Sequence, residues 1–155
     1  GVPSGIALDN NENIYVAERS PSAIITKIDA STGVSTTFTS TGISDPLGIT
    51  FGPDNKLYVA DYGANKISII PAIGGAPTDY VTGASTPCGL LFDNDTLYYI
   101  EYVSQIIYKV LPGGGAVGSA NVVQISDSAF WMGPNDRGTG LELLADGNFF
   151  VSTVA

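Results

Sequence analysis

One stretch of this sequence returns four times, and that restricts the chain to architectures built by stacking similar units. The copies start at Gly5, Gly48, Gly89 and Gly140. They read Gly-Ile-Ala-Leu-Asp over 5–9, Gly-Ile-Thr-Phe-Gly-Pro-Asp over 48–54, Gly-Leu-Leu-Phe-Asp over 89–93 and Gly-Leu-Glu-Leu-Leu-Ala-Asp over 140–146. A second apolar run follows each, with an aromatic near its middle: Tyr15, Tyr58, Tyr98 and Phe150. The first three runs end on an acid, at Glu18, Asp61 and Glu101. Pro3, Pro46 and Pro87 stand two places before the first three glycines, and the fourth lacks the proline.

Each unit reads as four short strands, here lettered a to d. Strand a covers 5–8, 48–51 or 89–92, and strand b ends at the acid. Strand c covers 24–28, 66–70 or 106–111, and strand d covers 34–39, 79–82 or 122–125. β-branched and aromatic residues dominate these runs, while Asp, Asn, Gly and Pro separate them. No segment has helical periodicity. A repeat of roughly 40–45 residues carrying four antiparallel strands is the signature of a β-propeller blade. The glycine opening each strand a fits innermost strands crowded around a channel, where a side chain would keep neighbouring backbones apart. The expected fold is therefore all-β, one propeller segment over 1–155, with blades over 3–40, 46–83 and 87–126 and a half blade over 139–155. That is about 3.5 blades. The expectation is a partial ring, completed by missing blades of a longer chain or by a second copy in a homodimer.

The patterns Pro-x-Gly-apolar-x-apolar-Asp and apolar-Tyr-Val-Ala-Asp/Glu resemble NHL repeats. They are also similar to the six-bladed propellers of the senescence marker protein/gluconolactonase and strictosidine synthase-like group. The resemblance covers nearly the whole chain. It implies a propeller, and in the gluconolactonase-like enzymes a divalent metal held by Glu, Asn and Asp around the channel mouth. The metal-binding Asn of those enzymes precedes the glycine of an inner strand. Here Ser4, Leu47, Cys88 and Thr139 occupy that place.

Composition narrows the function further. Six basic residues against fifteen acidic ones give a formal charge of −9, which opposes binding to nucleic acid or an anionic membrane surface. The chain has no histidine, so a Ser-His-Asp triad and a His-ligated zinc have no residues here to build on. Cys88 is the single cysteine and has no internal disulfide partner. Low lysine content with abundant Ser, Thr, Asn and Gly suggests an extracellular or periplasmic protein.

In an antiparallel blade the b–c and d–a connections emerge together, on the face that surrounds the channel mouth. Glu18, Asp61 and Glu101 lie there and have two readings. They are ligand-binding carboxylates, with calcium as a possible occupant, or structural acids that cap the b–c connection. Recurrence in every repeat favours the structural role. One stretch breaks the symmetry: residues 126–138 lengthen the third interval and contain the only Trp and the only Met. Trp131, Asn135 and Asp136 are its candidate ligand contacts, since insertions on a rigid scaffold often carry function. The alternative is that the Phe130-Trp131-Met132 run plugs the blade edge. The leading functional expectation is a non-catalytic recognition or scaffold module that binds a protein or a small polar ligand at the channel face. The alternative is a divalent-metal-dependent hydrolase or lactonase of gluconolactonase-like type, with part of its site outside this segment.

Overall fold

The computed structural model describes residues 1–126 and 137–154. Among these residues no helix forms, and the strands assemble into four sheets. Blade 1 contains β1 (Val2–Leu8), β2 (Ile14–Arg19), β3 (Ile24–Ile28) and β4 (Ser35–Thr39), hydrogen-bonded in chain order. Blade 2 contains β5 (Pro46–Phe51), β6 (Leu57–Asp61), β7 (Lys66–Ile70) and β8 (Thr78–Thr82). Blade 3 contains β9 (Pro87–Asp93), β10 (Thr96–Glu101), β11 (Ile107–Val110) and β13 (Val122–Gln124). A hairpin of β14 (Arg137–Leu143) and β15 (Phe149–Val154) follows. Trp131, Asn135 and Asp136 lie outside the described residues.

Local chemistry sets the turns. Asp9 accepts the backbone N–H groups of Asn11 and Asn13, both at 2.9 Å, and so folds the first a–b turn around its own carboxylate. Seven places after the repeat glycine, Glu12, Asn55 and Gly147 adopt positive φ of 64°, 59° and 84°, which reverses the chain tightly.

Two features depart from the sequence expectation. The inner strands begin earlier than the repeat glycine, and each is bulged just before or at it. Register shifts fall between Pro3 and Gly5, between Pro46 and Ile49, and between Gly138 and Gly140; in blade 3 the shift faces Tyr99 and Glu101. The bulge draws Ser4, Leu47, Cys88 and Thr139 out of regular pairing. The other departure is β12 (Gly115–Ala116), expected to be turn. It leaves blade 3 and pairs in parallel with β8 of blade 2. Glycine makes this possible: Gly114, at φ 64°, lies so close to the Tyr80 carbonyl that a Cβ there would collide with it.

The blades pack face to face, and the core lies in the seams. Between blades 1 and 2 it contains Tyr15, Ala17, Ile25, Ile49, Leu57, Val59 and Ile70. Between blades 2 and 3 it contains Tyr58, Ile67, Val81, Leu97, Tyr99 and Val110. Cys88, Ile100 and Ile107 meet Leu141, Phe149 and Val151 at the third seam. The inner strands approach as the glycines require. A Cβ on Gly5 would strike the Leu47 carbonyl oxygen, one on Gly48 the Cys88 oxygen, and one on Gly89 would come within 3.1 Å of the Thr139 oxygen.

Candidate functional site: the channel mouth

At the mouth, the acid ending each b strand reaches the connection that enters its own blade. Asp61 is fully buried and accepts N–H bonds from Ser44 at 3.0 Å, Asp45 at 2.9 Å and Ala64 at 3.3 Å. Glu101, also buried, accepts from the Ser85 N–H at 2.6 Å and the Ser104 hydroxyl at 2.5 Å. Glu18 accepts from the Thr26 hydroxyl at 2.6 Å and lies 3.1 Å from the Gly1 amine. Gly1, Ser44 and Ser85 hold the same repeat position, four residues before the glycine. One backbone N–H bond thus recurs in blades 2 and 3, tying the d–a connection to strand b. Hydrogen bonding, led by Thr26, holds the Glu18 carboxyl below the ordinary glutamate range.

The structure thus brings Glu18, Asp61 and Glu101 to one face, each directed into its own blade. A divalent cation needs oxygens that converge on one point. Among the described residues no group of three or more His, Cys, Asp or Glu converges in that way. Among the described residues, the Glu18, Asp61 and Glu101 carboxylates are engaged with groups of their own blades and form no shared cation site. Cys88 is buried and donates to the Ile100 carbonyl at 3.4 Å. Burial pushes its thiol up to about 12, so it stays protonated and unreactive at neutral pH.

Sequence reasoning passed over the residue after each acid. Arg19, Tyr62 and Tyr102 follow Glu18, Asp61 and Glu101. Arg19 of blade 1 makes a bidentate pair with Asp45 of blade 2, Nε to Oδ1 at 2.7 Å and Nη2 to Oδ2 at 2.5 Å. This bonding raises the Arg19 pKa and keeps the group charged. Its guanidinium lies 5.5 Å from the centroid of the Tyr62 ring, and Tyr62 meets Tyr102 edge-on at 5.9 Å. An arc of one cation and two rings therefore crosses three blades. Beside Arg19, the bulged inner strands line an open cavity of about 450 Å³ with Ser4, Leu47, Cys88 and Thr139 in its wall. The sequence signal for this arc was slight: beside the recurring acid stands Arg19 in the first repeat and a tyrosine in the next two.

Comparison with solved structures agrees with the propeller geometry. The chain is similar to a propeller in a nidogen/laminin complex, with TM-score 0.75 and 20% identity over 94% of this chain and 54% of that one. It is similar to virginiamycin B lyase from Staphylococcus aureus, in a catalytically inactive form with quinupristin, at TM-score 0.75 and 23% identity over 97% of this chain and 48% of that one. A third likeness is to the extracellular domain of a hybrid two-component system from B. thetaiotaomicron, at TM-score 0.66 and 14% identity over 97% of this chain and 20% of that one. The fold is a β-propeller blade set. This chain spans about half the length of the first two structures. No protein-family model matches it, and no curated protein matches.

Proposed function

We propose that this blade set is a non-catalytic recognition module that binds a protein or a small polar ligand across the channel mouth, outside the cytoplasm. The observation that carries this reading is the Arg19–Tyr62–Tyr102 arc, whose Arg19 end lines the cavity of about 450 Å³. Arginine and tyrosine are the side chains most enriched where binding energy concentrates. Here they are held by Asp45 and by each other, so little side-chain entropy is lost on binding. A propeller that meets another protein in the nidogen/laminin complex, and an extracellular neighbour, support the reading by analogy of fold alone. The lyase neighbour is described as inactive with one histidine replaced, and these 155 residues contain no histidine.

The deciding measurement is thermal unfolding with and without millimolar calcium or zinc, together with a crystallographic soak of small polar and aromatic fragments. The recognition reading expects an unchanged Tm and fragments gathered against Tyr62 and Tyr102. A rise in Tm with metal, from mass action on the folded state, would replace it with the metal-dependent hydrolase.

A further inference from the structure

The face opposite the mouth, where a–b and c–d turns emerge, carries a second cavity whose meaning comes from comparing two seams. Between blades 1 and 2, Tyr15 meets Phe38 and Phe51 edge-on, each with ring centroids 4.9 Å apart. Lys27 is the cross-strand neighbour of Tyr15, and its ammonium lies 5.7 Å from the centroid of that ring. Between blades 2 and 3 the aromatic trio returns, Tyr58 with Tyr80 at 5.0 Å and with Phe92 at 4.8 Å. The cross-strand neighbour of Tyr58 is Ile69, which brings no charge to the ring.

A cavity of about 520 Å³ opens at this second seam, lined by the three rings and Ile69. Carboxylates stand in its wall at Asp54, Asp79 and Asp95. Lys56 is 2.9 Å from Asp54 and Lys66 is 2.7 Å from Asp79, so the three acids exceed the two lysines by one charge. Burial, first among the causes, pushes the Tyr58 and Tyr80 hydroxyls upward, so both rings stay neutral at physiological pH.

We propose that this cavity binds an alkylammonium group, the group that Lys27 supplies from within the chain one seam earlier. An ammonium over the face of a tyrosine or phenylalanine is attracted by the ring quadrupole, and desolvation strengthens the attraction. The carboxylates supply the counter-charge, and the volume is within the range of small-molecule sites. The alkyl part of the ligand packs on Ile69, where the methylenes of Lys27 run in blade 1. The chain's formal charge of −9 favours the approach of a cation. This site is on the face away from the mouth and stands or falls independently of the recognition reading.

The test is an amide-detected NMR titration of the 155-residue chain with n-butylammonium and, separately, with n-butanol. Butylammonium is expected to shift the Tyr80, Asp95 and Gly113 amides and to bind about tenfold more tightly than the neutral alcohol. Equal affinity for the two would overturn the proposal, because the cavity would then be merely apolar. Ile69→Lys rebuilds the blade 1 arrangement and is expected to abolish butylammonium binding without lowering Tm. Retention of wild-type affinity in that variant would equally sink the idea. Should Ile69→Lys not fold, Asp95→Asn on the exposed rim decides, with about a threefold loss expected and an unchanged affinity counting against the site. A parallel titration with Nα-acetyl-lysine methylamide separates the two sources of the group. Binding of both probes points to a lysine side chain, and binding of butylammonium alone to a free amine.

Discussion

Ile49 and Ile6 hold the same place in consecutive repeats, yet Ile49 is 6% exposed and Ile6 is 68% exposed. The aromatic of strand b behaves alike: Tyr15 is 2% exposed, while Phe150 in the last hairpin is 57% exposed. Neither residue type nor strand geometry explains the contrast, since both pairs are apolar and lie in antiparallel ladders. The presence of a neighbouring blade does. Ile49 is covered by Tyr15 and Ala7 of blade 1, whereas the corresponding face of β1 meets no blade among the described residues. A blade is thus half of two cores, and its stability depends on what stacks against it.

The sharpest way to break this comparison is to truncate the recurring aromatic at both places. Tyr15→Ala should cost about 3–5 kcal/mol, because it removes a ring held edge-on by Phe38 and Phe51. Phe150→Ala should stay within about 0.5 kcal/mol of wild type. Urea denaturation midpoints measure both. Comparable losses at the two positions would mean that Phe150 is covered in solution.

The glycines give a graded version of the same test. Gly48→Ala drives a Cβ into the Cys88 carbonyl and should cost about 1–3 kcal/mol or more, since backbone cannot move aside as a side chain tip does. At Gly89 the nearest atoms, the Ile100 Cγ2 and the Thr139 oxygen, are each 3.1 Å from the added Cβ, so the same substitution should cost less. Thermal melts of the two variants rank the crowding between successive inner strands. A reversed order would place the tightest approach at the third seam.

These glycines, like the propeller fold itself, were legible in the sequence because every repeat must solve the same packing problem. The acids were legible as a recurring position, but their bonds to residues 44, 45 and 85 were not, since each partner lies in a connection of no fixed pattern. The bulge was hidden because a one-residue slip in pairing leaves no mark on composition. β12 was hidden for a related reason: Gly113, Gly114 and Gly115 read as a turn, and the parallel strand that starts at Gly115 depends on the close approach of Gly114 to Tyr80 in another blade. The mouth arc and the cavity beside Ile69 depend on positions where repeats differ. Alignment by similarity passes over such positions.

Acidification should separate blade 1 from blade 2 by a smaller margin. Among the described residues, Asp9, Glu18 and Asp29 of blade 1 have lowered pKa values, and Asp54 is the one so shifted in blade 2. Asp29 falls to about 2, chiefly through hydrogen bonds from the Ser31 and Thr32 hydroxyls. At Asp9 and Asp54 burial opposes the shift, and hydrogen bonds from Asn13 or Lys56 outweigh it. A carboxyl whose folded pKa is depressed stabilises fully above its unfolded value, roughly 4, and that contribution is lost as pH falls toward the folded value. Tm should therefore hold from neutrality to about pH 5 and decline below it. Hydrogen exchange near pH 3 should release the Ile25 amide of blade 1 before the Ile67 amide of blade 2. Simultaneous release would show that the two blades open as one unit.

The smallest expected effect on stability comes from the open face of blade 1. Ile6→Lys and Leu8→Lys place charge on two residues that are already largely exposed, so unfolding should shift by no more than about 0.5 kcal/mol. The same change should reduce self-association, because an apolar sheet face in water is a contact surface for other chains. Light scattering across a concentration series measures the second effect and a urea titration the first. Should Ile6→Lys destabilise the chain as strongly as a polar residue at Ile49, the β1 face would have to be covered in solution, and the contrast between the two isoleucines would belong to the isolated chain alone.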